Sequence, residues 1–162
     1  SKKFLEKKER WIEESGATVH ITNNDIGMFN IKSCDFDITL GNQETTKCVK
    51  IADIQLKLKD STESYKVVTL SYVRYVPSFV GNLFSVSTAM TKGAEIRFKN
   101  KQMEVQKGDA TFEFFPTNLD KCGFFFGIEA QRIIYRPEKP WWLKKNLHVL
   151  HLMKKCLITM KT

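Results

Sequence analysis

The chain has 162 residues and a mass of 18.8 kDa, enough for one domain with a buried core and a tail. Hydrophobic residues at 42% and charged residues at 27% exclude global disorder and collagen-like repeats. No apolar run is long enough for a membrane span, and the charged opening SKKFLEKKER has no signal-peptide core, so an intracellular (cytoplasmic or nuclear) chain is expected. The net charge of +8 sits at the ends: residues 1–10 carry +3, residues 131–162 carry eight basic residues against Glu138 alone, and the middle is slightly acidic. A basic tail of this kind attracts nucleic acid or an anionic surface weakly, or simply keeps the chain soluble. Cys34, Cys48, Cys122 and Cys156 form no CxxC pair and are expected as free thiols. His148, His151 and Cys156 lack a fourth ligand, so neither a metal nor another cofactor is expected.

From residue 11 to 126 the pattern is that of short strands. Val19–Thr22 alternates, and Phe36–Leu40 alternates up to the turn signal Gly41-Asn42. In 47–59 the apolar positions Val49 and Ile51 give way to Ile54, Leu56 and Leu58, a phase slip that predicts a bulge or corner at Ala52-Asp53. Asp60–Glu63 reads as a turn, and Tyr65–Val76 as a long strand ended by Pro77. One short helix is expected near 82–91, with Asn82 as N-cap and Gly93 at its C-terminal end. Ala94–Lys99 and Gln102–Lys107 have hairpin spacing, and Ala110–Phe115 and Cys122–Phe126 are further strands. Many closely spaced strands predict a mainly β barrel or sandwich. After Pro140, apolar residues fall mostly on one helical face among lysines, which predicts a helical tail.

The segment Trp11-Ile12-Glu13-Glu14-Ser15-Gly16-Ala17-Thr18-Val19-His20-Ile21-Thr22 is the most informative. A strand enters a Ser-Gly turn and another leaves it. Gly16 is expected to take a backbone shape that a Cβ would strain. Carboxylates just before such a turn project from a rigid frame, as an aspartic peptidase requires. This segment resembles W-I-x-D-S-G-A-T-x-H-M-T, which opens the protease domain of copia-type LTR retrotransposon polyproteins. Ile38-Thr39-Leu40-Gly41-Asn42 is similar to that family's V-x-L-G-(D/N), and Tyr72-Val73-Arg74-Tyr75-Val76-Pro77 to its V-L-Y-V-P. Asn82-Leu83-Phe84-Ser85-Val86-Ser87 is similar to its N-L-(L/F)-S-V-S. Lys92-Gly93 and Gly123-Phe124-Phe125 fall where it has x-G and G-L-Y, so the ordered blocks span about residues 11–126.

The resemblance implies a retropepsin-like closed β-barrel at 11–126, between a charged flank at 1–10 and a basic extension at 127–162. It implies aspartic endopeptidase ancestry, a polypeptide substrate (the element's own polyprotein), and a homodimer whenever the site is active. Glu14 stands at the catalytic Asp position, followed by Ser15 and the turn residue Gly16. Thr18, Asn82, Leu83, Phe84 and Ser85 are expected to support the loop, and Gly41 and Asn42 to tip a flap-like hairpin. His20 matches a family histidine without a role and is expected as an exposed strand residue. With Glu in place of Asp, weak or absent catalysis is expected. The alternative is a non-enzymatic barrel that binds a peptide or partner, its basic tail attracting nucleic acid.

Overall fold

A computed structural model describes residues 2–118 and 124–137, with 151, 154 and 155. Contacts divide the chain into two units, Leu5–Ile134 and the chain ends (Ser1–Phe4 with Tyr135–Thr162); the core and site described here belong to the first. Its elements are β1 (Lys2–Glu14), β2 (Ile21–Thr22), β3 (Phe29–Thr39), β4 (Thr45–Lys59), β5 (Tyr65–Tyr75), β6 (Asn82–Ser85), α1 (Val86–Thr91), β7 (Glu95–Lys99), β8 (Gln102–Lys107), β9 (Ala110–Asn118) and β10 (Phe124–Pro137). Through residue 137 the described residues are mainly β with one short helix, as expected. The expected tail helix and the His148–His151–Cys156 cluster lie outside the described residues, save that His151, Lys154 and Lys155 are helical. Among the described residues no helix is long and apolar enough to cross a membrane.

The strands run β3-β4-β5-β2-β6-β1-β10-β9-β8-β7, and a further pairing of β4 with β10 closes β4, β5, β2, β6, β1 and β10 into a ring. The long strand β4 makes this possible by sharing one edge. Its first half pairs with β3, from Thr39↔Thr45 to Phe29↔Asp53, and Leu56 and Lys57 pair with Arg132 and Gln131 of β10. β10 thus carries the sheet well past residue 126, into the region that charge counting groups with the basic extension. Inside lie Trp11, Ile54, Leu56, Leu58, Val73, Phe84, Met103, Phe112 and Phe114.

Two local expectations need correction. Cys48, Ala52, Ile54, Leu56 and Leu58 are all buried, so β4 keeps a single inward phase, and Val49 is exposed on the outer face. The register does shift between Ala52 and Ile54, but their partners are Val73 and Leu70, so the extra residue lies on β5. There Tyr72 takes a left-handed φ of 57°, and its N–H donates to Asp53 Oδ1 at 3.2 Å. The second correction concerns the helix. Asn82–Ser85 is a strand, because β1 on one side and β2 on the other take up its backbone. The N-cap is Ser85, whose Oγ accepts the Thr88 N–H at 3.2 Å. At the other end Gly93, with φ of +93°, donates to Met90 O, and Ala94 donates to Ala89 O, a left-handed helix stop of the expected kind.

Candidate functional site

β1 delivers Glu13 and Glu14 to the Ser15-Gly16 turn, which is closed by the Ala17 N–H on Glu14 O at 3.3 Å. Glu14 is half-buried, Ser15, Gly16 and Thr18 are exposed, and Glu14 Oε1 accepts the Gly16 N–H at 3.1 Å. The reason for the glycine differs from the expected one. Gly16 does not have a positive φ, and a Cβ there would meet only Glu14 Oε1, at 3.3 Å. A side chain would crowd the carboxylate out of its bond to the turn; it would not strain the backbone.

β6 is wedged between the two strands that frame this turn. Trp11–Glu14 lie parallel to Asn82–Ser85, with Glu13 opposite Phe84 and Glu14 opposite Ser85. On the other side Ile21 and Thr22 lie antiparallel to Leu83 and Asn82. The Asn82 amide donates to Arg10 O at 3.1 Å and accepts from the Thr22 hydroxyl at 2.6 Å, tying both strands to one side chain. Ser85 Oγ donates to Ala17 O at 2.6 Å, Ser87 Oγ to the same carbonyl at 3.1 Å, and Thr88 Oγ1 to Thr18 O at 2.8 Å. The first turn of α1 therefore holds the backbone of residues 17 and 18, which would otherwise present unpaired carbonyls. Of the expected supports, Asn82 and Ser85 bond to the frame through side chains, Phe84 packs beneath it in the core, Thr18 contributes only its backbone, and Leu83 pairs along the strand.

His20 overturns its expectation. It is buried, at 3% exposure, and Nδ1 accepts the Ser85 N–H at 2.9 Å. Its ring lies 5.0 Å from that of Phe84. Burial, and then the charge of Lys92, push its pKa down to about 4, so the ring is neutral at physiological pH. Glu13 was passed over in favour of its neighbour, yet it is the more buried carboxyl, at 8% exposure. Burial first, and the Glu14 charge second, raise its pKa. Two adjacent carboxyl groups thus end β1, one inclined to keep its proton and one bonded to the turn.

A second buried polar group escaped the sequence reading. Arg132 is fully buried, and its Nε donates to Glu9 Oε1 at 2.9 Å, an oxygen that also accepts from Trp11 Nε1 at 2.9 Å. Arg132 Nη2 donates to Thr22 Oγ1 at 2.8 Å, and Nη1 to Ile26 O at 3.3 Å and to Asn24 O. Beside it Gly27 has φ +79°, and a Cβ there would come within 2.9 Å of Ile133 O. The legible signal was phase: Arg132 follows Ile128 and Ala130 on the inward side of β10.

Gly41 and Asn42 tip the β3–β4 hairpin. Gln43 N–H donates to Leu40 O, Leu40 N–H to Glu44 O, and Asn42 Oδ1 accepts from Glu44 N–H. Gln43, with φ of 67°, takes the left-handed position of this three-residue loop. Among the described residues no hydrogen bond or ion pair joins this tip to residues 13–18. At the hairpin's centre Cys34 and Cys48 are free thiols, Sγ to Sγ 2.9 Å.

A family model described as Pol polyprotein, beta-barrel domain matches residues 11–94, and the chain belongs to that family, a retroelement Pol polyprotein domain. The matched stretch begins at Trp11 and ends at Ala94, and so contains the carboxylate turn, the β3–β4 hairpin, β6 and α1. No curated protein and no solved structure matches the chain.

Proposed function

We propose that this is the protease-like domain of a copia-type LTR retrotransposon polyprotein, descended from retropepsin-like aspartic endopeptidases that cut the element's own polyprotein, and that this copy is catalytically impaired. An aspartic site needs two carboxyl groups sharing a proton, one acting as base on a water and the other protonating the scissile carbonyl oxygen. A single chain has one Ser-Gly turn of this kind, so an active site takes two chains. The observation that carries the reading is the position and bonding of Glu14. It stands where the family has Asp, and its carboxylate is occupied by its own turn, accepting from Gly16 N–H. Its extra C–C bond adds about 1.5 Å of reach, and a misplacement of about 1 Å can cost about a hundredfold in rate. The basic region 131–162 adds a weak, salt-sensitive attraction for nucleic acid in this reading, and the domain works inside the cell.

The test compares cleavage of a polyprotein-junction peptide by this chain and by Glu14→Asp. Little or no cleavage is expected from the first, and partial, pepstatin-sensitive recovery from the second. Equal pepstatin-sensitive cleavage by both would overturn the impairment. Silence from both would place the decay beyond residue 14, in the hairpin or in the Asn82–Val86 support.

A further inference from the structure

A cavity of about 510 Å³ lies among Leu56, Leu58, Leu70, Phe84, Phe112 and Phe114, between β5 and the elements α1, β8 and β9. That is within the range of small-molecule sites, about 300–1,000 Å³. Glu13, Glu14, Ser15 and Gly16 do not line it, so it is separate from the carboxylate turn. Among the described residues its ionisable lining is Lys66, Lys92, Lys107 and His20, with no Asp or Glu. Lys50, Lys57 and Lys59 elsewhere on the domain each have a carboxylate partner, whereas among the described residues Lys66, Lys92 and Lys107 make no ion pair, although the charge of Lys66 is felt by Asp60.

The cationic groups mark two ends. Lys66 is opposite Leu58 and Lys107 opposite Ala110, beside two turns joined by Ser61 N–H on Thr111 O. Lys92 follows α1 at the other end, its Nζ 5.1 Å from the centre of the Tyr72 ring and its charge felt by His20. There the cavity also has a buried donor. With Nδ1 accepting from Ser85, the neutral His20 ring carries its proton on Nε2, which has no partner among the described residues. His20 is one of the residues that line the cavity. Along β5, residues 66 to 71 span about 17 Å at the usual strand rise, a length that suits an extended alkyl chain.

We propose that this cavity binds an apolar monocarboxylate, a fatty acid by chemical class, with its carboxylate at His20 Nε2–H and Lys92 Nζ and its chain along the apolar wall towards Lys66 and Lys107. The carboxylate supplies an acceptor for the histidine donor and a counter-charge for Lys92, which has the Tyr72 ring beside it but no ion pair among the described residues, and the chain fills apolar space that water occupies poorly. The proposal does not depend on the peptidase reading, since it uses neither Glu14 nor a second chain.

The test is calorimetric titration of the full chain with dodecanoate, dodecanol and dodecyltrimethylammonium, each below its micelle-forming concentration. These probes share a tail and differ in head charge. Dodecanoate is expected to bind saturably and about tenfold or more tighter than the other two. From octanoate to dodecanoate each added methylene should tighten binding up to about fourfold. Lys92→Met should weaken dodecanoate about tenfold, whereas Lys47→Met on the outer hairpin should leave it unchanged. His20→Phe should weaken it as well, and the exposed Lys92 keeps the test valid if that variant fails to fold. Equal binding of all three head groups, no binding of dodecanoate, or an equal loss in Lys47→Met would overturn the proposal.

Discussion

Around the Ser15-Gly16 turn the polar side chains are buried and bonded across elements, whereas the β3–β4 hairpin leaves apolar ones in water. Thr22, Ser85, His20 and Arg132 are all at most 3% exposed, and each bonds to a different part of the chain. On the hairpin Ile31 is 52% exposed and Phe36 and Val49 about 40%. The first region gets its shape from buried directional bonds that would be costly to leave unmade, and the second from strand pairing helped by exposed side-chain bonds such as those of Lys47 to Asp35 and Asp37. In the proposed reading, the first kind of construction suits a carboxylate held in one place, and the second suits a hairpin that moves.

The comparison can be broken most forcefully at Arg132. Replacing it with Met leaves Glu9 buried without its partner, and the loss of stability should be about 3–5 kcal/mol by denaturant titration. Adding Glu9→Gln should restore part of it. A loss under 1 kcal/mol, by order of magnitude, would mean that the pair is effectively solvated and the frame is not held as described.

The next effect is on pH dependence. His20 has a folded pKa near 4, below its ordinary value of 6.5. Between those values the unfolded chain takes up the proton and the folded chain does not. His20 therefore contributes full stability above about pH 6.5, and the contribution is lost as pH falls towards 4. The total is about 3 kcal/mol. Glu13 acts in the opposite sense: its pKa is raised, so its contribution is lost as pH rises from 4.5 through the folded value. A His20→Gln variant, compared with the parent chain across this range, should show a flatter acid limb. An unchanged limb would count against the buried neutral imidazole.

Ser85→Ala removes both the cap of α1 and the bond to Ala17 O, and should cost about 1–2 kcal/mol. Ile31→Thr on the hairpin should change stability by no more than about 0.5 kcal/mol. A larger loss there, growing with protein concentration, would show that a second chain covers the hairpin face, and would sharpen the contrast by assigning the exposed apolar residues to an interface.

The existence of β4 and β5 as long strands, the two turns, the β7–β8 hairpin and the left-handed helix stop could all be read from the sequence, because each depends on neighbours along the chain. Asn100-Lys101 did sit at the hairpin tip, with φ of 50° and 61°. The misreadings depend on partners far away in sequence. Asn82 looked like a cap because nothing local shows that β1 and β2 would both pair with it. The extra residue assigned to Ala52-Asp53 belongs to β5, since a bulge changes the register of a pair and sequence alone does not say which strand holds it. His20 is expected as an exposed strand residue, and Arg132 counts in the sequence only as one of the basic residues of 131–162. Their burial follows from Ser85 and Glu9, which are 65 and 123 residues away.

The central claim is that the Ser15-Gly16 turn is half of a site. The most direct test is the specific cleavage rate of the Glu14→Asp chain, measured against its own concentration. Activity per chain is expected to fall steeply on dilution, because in the proposed reading each chain supplies one carboxylate turn and the site forms only when two meet. Constant activity per chain, down to concentrations at which the protein is monomeric by light scattering, would contradict it.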